Sequence, residues 1–162
     1  MIRKVTDQDA KEIVEIYNHY IKTSTVTFET ATLSETEMQE RISNILEKYP
    51  YLVYEENGVV VGYAYANLFR TRIAYEHASE SSVYVHPDHF KKGIATKLYD
   101  ALLKEMKAYK LKTAIGGITL PNEASVVLHE KFGFKKVAHF EKVGYKFDQW
   151  LDVGYWQLSL NA

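Results

Sequence analysis

The 162-residue chain has no cysteine, which removes a disulfide framework, a thiolate nucleophile and a thiolate-ligated metal from consideration. The same absence fits a reducing compartment. No apolar run approaches the length needed to cross a bilayer, and the opening MIRKVTDQDAKEI lacks a signal-like apolar stretch, so the expectation is a soluble cytoplasmic protein with no membrane partner. An excess of one charge is missing too, since 20 Lys and Arg stand against 21 Asp and Glu for a formal net charge of -1. That balance gives no case for a nucleic-acid partner, which would favour a clustered basic excess. No repeat, low-complexity segment or linker interrupts the chain, and its length suits one well-filled core, so residues 1–162 read as a single domain.

What is present is apolar and aromatic, with 46% hydrophobic residues and 13 tyrosines, most of them suited to half-buried strand positions with a polar tip. IRKV reads as a short strand. Thr6 and Asp9 resemble a capping box for a helix whose Ile13, Ile16, Tyr17, Tyr20 and Ile21 recur at helical spacing. STVTFETATL reads as an ordered loop, followed by a helix capped by Ser34 with Glu37 and ended by Pro50. Asn57-Gly58 between two apolar runs predicts a hairpin. SESSVYV is then a strand, residues from Gly93 onward a helix with Ile94, Leu98, Leu102 and Met106 on one face, KTAIGGITL a strand, and NEASVVLHEKFGF a short helix ending at Gly133. Two long strands finish the chain. A strand-helix-strand unit in the middle requires a parallel pair, so the fold class is mixed α+β.

Chemistry concentrates where SSVYV gives way to HPDHFKKGIATK. A strand that stops at His86-Pro87 and a helix that starts near Gly93 leave backbone N–H groups at the helix N-terminus, a place that attracts phosphate. Gly93 serves either as that cradle or as a strand-to-helix corner with Lys91 and Lys92 facing water. Neither the P-loop nor the dinucleotide glycine pattern is met. Glu80, opening an otherwise apolar strand, is a solvent-facing strand end or a base aimed into a cleft. His129, one turn before Gly133, is a satisfied helix residue or a site residue. Arg70, Arg72 and Tyr75 in FRTRIAY form a solvated loop or a carboxylate clamp, for which an Arg fork is suited. His86 and His89 lack a third ligand at fixed spacing, so no metal is expected.

Taken together, VYVHPDHFKKGIATKLYDALL and NEASVVLHEKFGF resemble the two acetyl-coenzyme A binding segments of the GNAT superfamily of N-acetyltransferases. NHYIKTSTVTFET, YPYLVYEENGVVVGYAYA, RIAYEHASESSVYV and VGYKFDQWLDVGYWQ resemble its phosphinothricin acetyltransferase branch, so the likeness covers nearly the whole chain. One departure stands out: Phe90 occupies the place three before the glycine where the superfamily has Gln or Arg, which is expected to weaken a side-chain contact and leave the main-chain cradle standing.

The resemblance implies a mixed, mostly antiparallel sheet with helices on both faces, splayed between ESSVYV and AIGGITL, and acetyl-coenzyme A as co-substrate. It implies cofactor contacts at Val83, Tyr84 and Val85, along the turn through Lys91, Lys92, Gly93, Ile94, Ala95 and Thr96, and at Asn122 and Ser125. It further implies Glu80 as general base, Val85 as an oxyanion donor, and His129 as acid or second base. Phe28, Glu29, Arg70, Arg72, Tyr75 and Tyr145 resemble the substrate wall, with core packing the competing reading of Phe28. The implied partner is a small amino acid or analogue. An acyl-coenzyme A sensor and an acetyltransferase of protein N-termini or lysines are the rival readings. The apolar DVGYWQLSL suggests a homodimer.

Overall fold

The computed structural model describes residues 1–90 and 92–161. Seven strands form one sheet in the order β1-β2-β3-β4-β5-β7-β6, and every neighbouring pair is antiparallel except β4 and β5. The strands are β1 (Ile2–Lys4), β2 (Tyr51–Glu56), β3 (Val59–Leu68), β4 (Ala78–Val85), β5 (Thr113–Leu120), β6 (Lys135–Lys146) and β7 (Gln149–Ser159), with helices α1 (Ala10–Thr23), α2 (Glu35–Leu46), α3 (Ile94–Ala108) and α4 (Glu123–Lys131).

Local signals account for most boundaries. Asn57 and Gly58 take φ of 54° and 80°, the left-handed pair that a two-residue hairpin needs. The Ser34 side chain accepts from the Glu37 N–H and Glu37 bonds back to Ser34, closing the capping box that starts α2. At the other predicted box, the Asp9 carboxylate accepts from the Thr6 N–H, and a single 3-10 turn intervenes before α1 begins.

Strand alternation sends neighbouring side chains to opposite faces, and each face has its own cover. On one, Tyr63 packs against Tyr84, whose ring meets Tyr17 of α1 edge-on. On the other, a Cβ on Gly62 would touch Ile94 and Leu98 of α3 at 3.1 Å, so the absent side chain lets the helix sit close. The predicted α3 stripe of Ile94, Leu98, Leu102 and Met106 is 3% exposed or less throughout. Each such side chain contributes about 1.5–3 kcal/mol by leaving water.

The parallel pair is short. Ala78, Ser79 and Glu80 pair with Thr113, Ala114 and Ile115, and beyond Glu80 the two strands run on without pairing each other. This is the predicted splay. β7, by contrast, differs from its expected role: it lies between β5 and β6, with Trp156 2% exposed, and offers no free edge to a second copy. A cluster of exposed apolar side chains, Val137, Phe140, Val143 and Tyr145 on edge strand β6 with Phe147 in its turn, lies at that end of the sheet, and others are scattered over the rest of the surface. No helix among the described residues is long and apolar enough to cross a membrane.

Candidate active site

Where β4 and β5 part, a cleft of about 550 Å³ opens between them, floored by α3 and closed by α4. The predicted cofactor residues Val83, Tyr84, Val85, Gly93, Ile94, Ala95, Thr96, Asn122 and Ser125 all line it, as does His129. The His86 N–H bonds back to the Val61 carbonyl on β3, and alternation therefore turns the N–H and C=O groups of Val85 and Val83 toward the gap. The Tyr20 hydroxyl of α1 donates to the Val85 carbonyl, leaving the Val85 N–H directed into the cleft.

Gly93 stands at the start of α3 with φ of 75°, a left-handed conformation that suits glycine, and its N–H and those of the first helical turn open onto the same space. A cleft with an unpaired strand edge at one end and a helix N-terminus at the other fits an elongated ligand ending in phosphate. Phe90 is 53% exposed on the cleft rim, where it supplies no polar contact. Lys92 does not line the cleft: its Nζ lies 3.8 Å from Glu56 of the β2–β3 hairpin and 3.3 Å from Nδ1 of His89. Lys91 lies outside the described residues.

His129 is 5% exposed and bonded at both ring nitrogens. Nδ1 lies 2.7 Å from the Ser125 carbonyl, an acceptor only, so Nδ1 carries the hydrogen and Nε2 accepts from the Tyr99 hydroxyl at 2.9 Å. Tyr99 in turn meets the Ser81 hydroxyl at 2.5 Å. Burial lowers the pKa of His129, partly offset by the Ser125 carbonyl, so the ring is neutral near pH 7. Sequence reasoning missed both Tyr99 and Ser81, which come from separate elements and carry no motif of their own.

Glu80 is half-buried on β4, and because it precedes Ser81 its side chain takes the opposite face. The strand therefore separates it from the Ser81–Tyr99–His129 chain. Burial raises the Glu80 pKa above the ordinary carboxylate value, with Arg70 opposing. On that face Tyr65 stands across from Ser82, and Glu29, Arg41 and Glu80 all act on its phenol, whose pKa burial already raises. Glu29 is held by both Arg41 nitrogens at 2.7 and 2.8 Å and by the Tyr17 hydroxyl, and Arg41 above all keeps its carboxylate below the ordinary range.

The remaining predicted substrate residues lie apart from the cleft. Arg70, Arg72 and Tyr75 line a separate surface pocket with Phe69, whose ring stacks under the Arg70 guanidinium at 4.7 Å. Phe28 is 42% exposed and packs over Gly144, so it is not a core residue. Tyr145 is more exposed still, its ring 4.8 Å from Trp150. His86 caps its own turn by accepting from the Asp88 N–H, and no group of three potential metal ligands gathers among the described residues.

Residues 2–154 match the family model described as an acetyltransferase (GNAT) domain. The chain is 42% identical to a phosphinothricin N-acetyltransferase of Streptomyces viridochromogenes over 96% of its own length and 85% of the relative's. It is 37% identical to an L-methionine sulfoximine/L-methionine sulfone acetyltransferase of Salmonella typhimurium, covering 99% and 94% of the two chains. A Salmonella typhimurium acetyltransferase solved with its cofactor acetyl-CoA superposes with a TM-score of 0.97 at 36% identity, over 100% of this chain and 94% of that one. The chain belongs to the GNAT acetyltransferase family, in its phosphinothricin acetyltransferase branch, and is an acetyl-coenzyme A-dependent N-acetyltransferase.

Proposed function

We propose that the enzyme acetylates the α-amine of a small amino acid or analogue of the phosphinothricin, methionine sulfoximine or methionine sulfone type, with Glu80 as general base. The observation that carries this reading is the half-buried Glu80 carboxylate with its raised pKa, set on β4 beside the divergence of the strands. The substrate names of two relatives at 42% and 37% identity support the same class.

An amino acid arrives as an ammonium ion and cannot attack a thioester. Glu80 takes one proton from the ammonium, the freed amine forms the C–N bond at the acetyl carbon, and as the C–S bond breaks the nitrogen sheds a second proton, which balances the one the departing thiolate takes up. The Val85 N–H is suited to stabilise the oxyanion, a donor commonly worth about 3 kcal/mol. Diphosphate rests on the N–H groups at the start of α3. His129 sits on the cofactor face of β4, which favours a role toward the leaving thiolate over help to Glu80. Its partner in the relay is the buried Tyr99 hydroxyl, whose residue lines the cleft, since Nδ1–H is engaged by Ser125. Arg70 and Arg72 supply cations for the substrate carboxylate, with Tyr75, Tyr145, Phe28 and Glu29 around the remainder. The whole chain acts as one catalytic domain, and the apolar side chains on β6 favour a homodimer, which sedimentation would test.

The test is thiol release from acetyl-coenzyme A against a panel of L-amino acids and the three analogues, with Glu80→Gln and Arg72→Ala beside wild type. Turnover on the analogues, a large loss of kcat in Glu80→Gln and a raised KM in Arg72→Ala are expected. Unchanged kcat in Glu80→Gln at neutral pH would remove the base assignment, and silence across the panel with cofactor still bound would point to a sensor or a protein substrate.

A further inference from the structure

Lys146 ends β6 beside a turn whose Phe147 and Asp148 both take positive φ, and it looks from the sequence like an exposed hairpin residue. It is 4% exposed. Its Nζ donates to the Ser24 carbonyl at 2.7 Å and to the Thr27 carbonyl at 2.8 Å, joining chain positions 122 and 119 residues apart. Burying an ammonium is costly, and it persists only where its donors find partners. Desolvation lowers the Lys146 pKa and the nearby Glu29 carboxylate opposes that shift.

The segment the ammonium grips has no regular structure of its own. Residues 24–34 lie between α1 and α2 and are tied down by side chains: Thr27 Oγ1 meets the Tyr17 hydroxyl at 2.8 Å, Arg41 forks onto Glu29, and the Phe28 ring lies over Gly144, where an added Cβ would come within 2.3 Å of it. Of this segment only Val26 reaches the cofactor cleft, and Phe28 and Glu29 do not line it. Two carbonyls bonded to one buried cation fix the backbone of the 24–27 stretch directly, as Asn18 fixes that of Leu33 farther along, whereas the ties on Thr27, Phe28 and Glu29 act through their side chains.

We propose that Lys146 is a positioning residue for the transfer reaction, whose buried ammonium sets the wall formed by Phe28 and Glu29 and so governs capture of the amino-acid substrate. This rests on the reading of Phe28 and Glu29 as substrate wall. Lys146 does not line the cleft, and its Nζ is spent on the two carbonyls, so it acts through the segment. Its removal should therefore act on the amine substrate far more than on acetyl-coenzyme A, whose pyrophosphate and pantetheine contacts come from α3, α4 and β4.

Lys146→Met keeps the length of the side chain and removes charge and donors, and Lys146→Gln keeps one amide donor should the first variant not fold. Both are measured for substrate KM, kcat, acetyl-coenzyme A affinity and amide hydrogen exchange at residues 24–29. The expected result is a substrate KM raised by about tenfold or more, acetyl-coenzyme A affinity within about twofold of wild type, and faster exchange confined to the segment. Lys146→Arg, which retains a cation and donors, should recover most of the loss. An unchanged substrate KM with unchanged exchange overturns the proposal, as does an equal loss of both affinities, which would mark Lys146 as scaffold alone. If wild type turns over no amino acid, the wall reading falls by itself. Exchange at 24–29 without substrate then still decides whether the ammonium holds the segment.

Discussion

A Cβ placed on Gly116 would lie 2.5 Å from Nε2 of His129 and 2.6 Å from its Cδ2. The close approach locks the imidazole between β5 and the rings of Tyr99 and Phe134, whose centroids lie 5.1 and 5.0 Å away. A methyl group there can be admitted only if the ring or the strand shifts. Gly116→Ala should therefore destabilise the protein by about 1–3 kcal/mol, the usual cost of overpacking, and lower kcat as the His129–Tyr99 bond is distorted. Urea unfolding and steady-state kinetics read the two effects, and wild-type stability in the variant would show that the ring has room.

Tyr99→Phe removes one hydroxyl and strands two partners. Ser81 Oγ and His129 Nε2 lose their bonded atom in a buried place, a loss of about 1–3 kcal/mol. Adding Ser81→Ala to Tyr99→Phe should recover part of it, because the stranded hydroxyl is then gone. A double-mutant cycle with no coupling between the two positions would contradict the relay.

The raised pKa of Glu80 makes two pH predictions. The acid limb of kcat/KM should fall above the ordinary value of 4.5, and Arg70→Ala should move it higher still because the guanidinium lowers the carboxyl's pKa. For stability the sign is the reverse of a salt-bridged carboxylate: the folded state binds the proton more tightly, so ionising Glu80 costs the fold. Wild type and Glu80→Gln should be alike in this respect below pH 4.5, and the variant should gain relative to wild type as pH rises through the raised value. A stability difference that does not change over that window would mean that Glu80 is not desolvated.

The order of elements was legible because local chemistry writes it. Asn57-Gly58, the Ser34–Glu37 box and the 94/98/102/106 stripe each act within a few residues. The parallel pair was legible because a strand-helix-strand unit demands one, and the splay beyond it was legible through the family resemblance. What stayed hidden is set by packing between distant segments. Ser81, Tyr99 and His129 meet from β4, α3 and α4, and nothing in KFDQW marks Lys146 as buried. The sequence likewise left the lysines of the turn beside the cofactor, whereas Glu56 of a remote hairpin draws Lys92 away.

Glu29 gives the last test, in acid. Arg41 holds its carboxylate below the ordinary value of 4.5, so the pairing contributes stability above that pH and loses it as pH falls through the lowered value. The contribution is tempered by solvent, since the Arg41 side chain is 45% exposed. Arg41→Gln removes the cation and most of the depression. The stability gap between wild type and Arg41→Gln should be widest near neutral pH and narrow steadily below pH 4.5, read by urea unfolding at a series of pH values. Because the pair also anchors the 24–34 segment, hydrogen exchange there should quicken in acid before the sheet loosens. A gap that stays constant with pH would assign the effect of Arg41 to packing of its aliphatic stem and not to its charge.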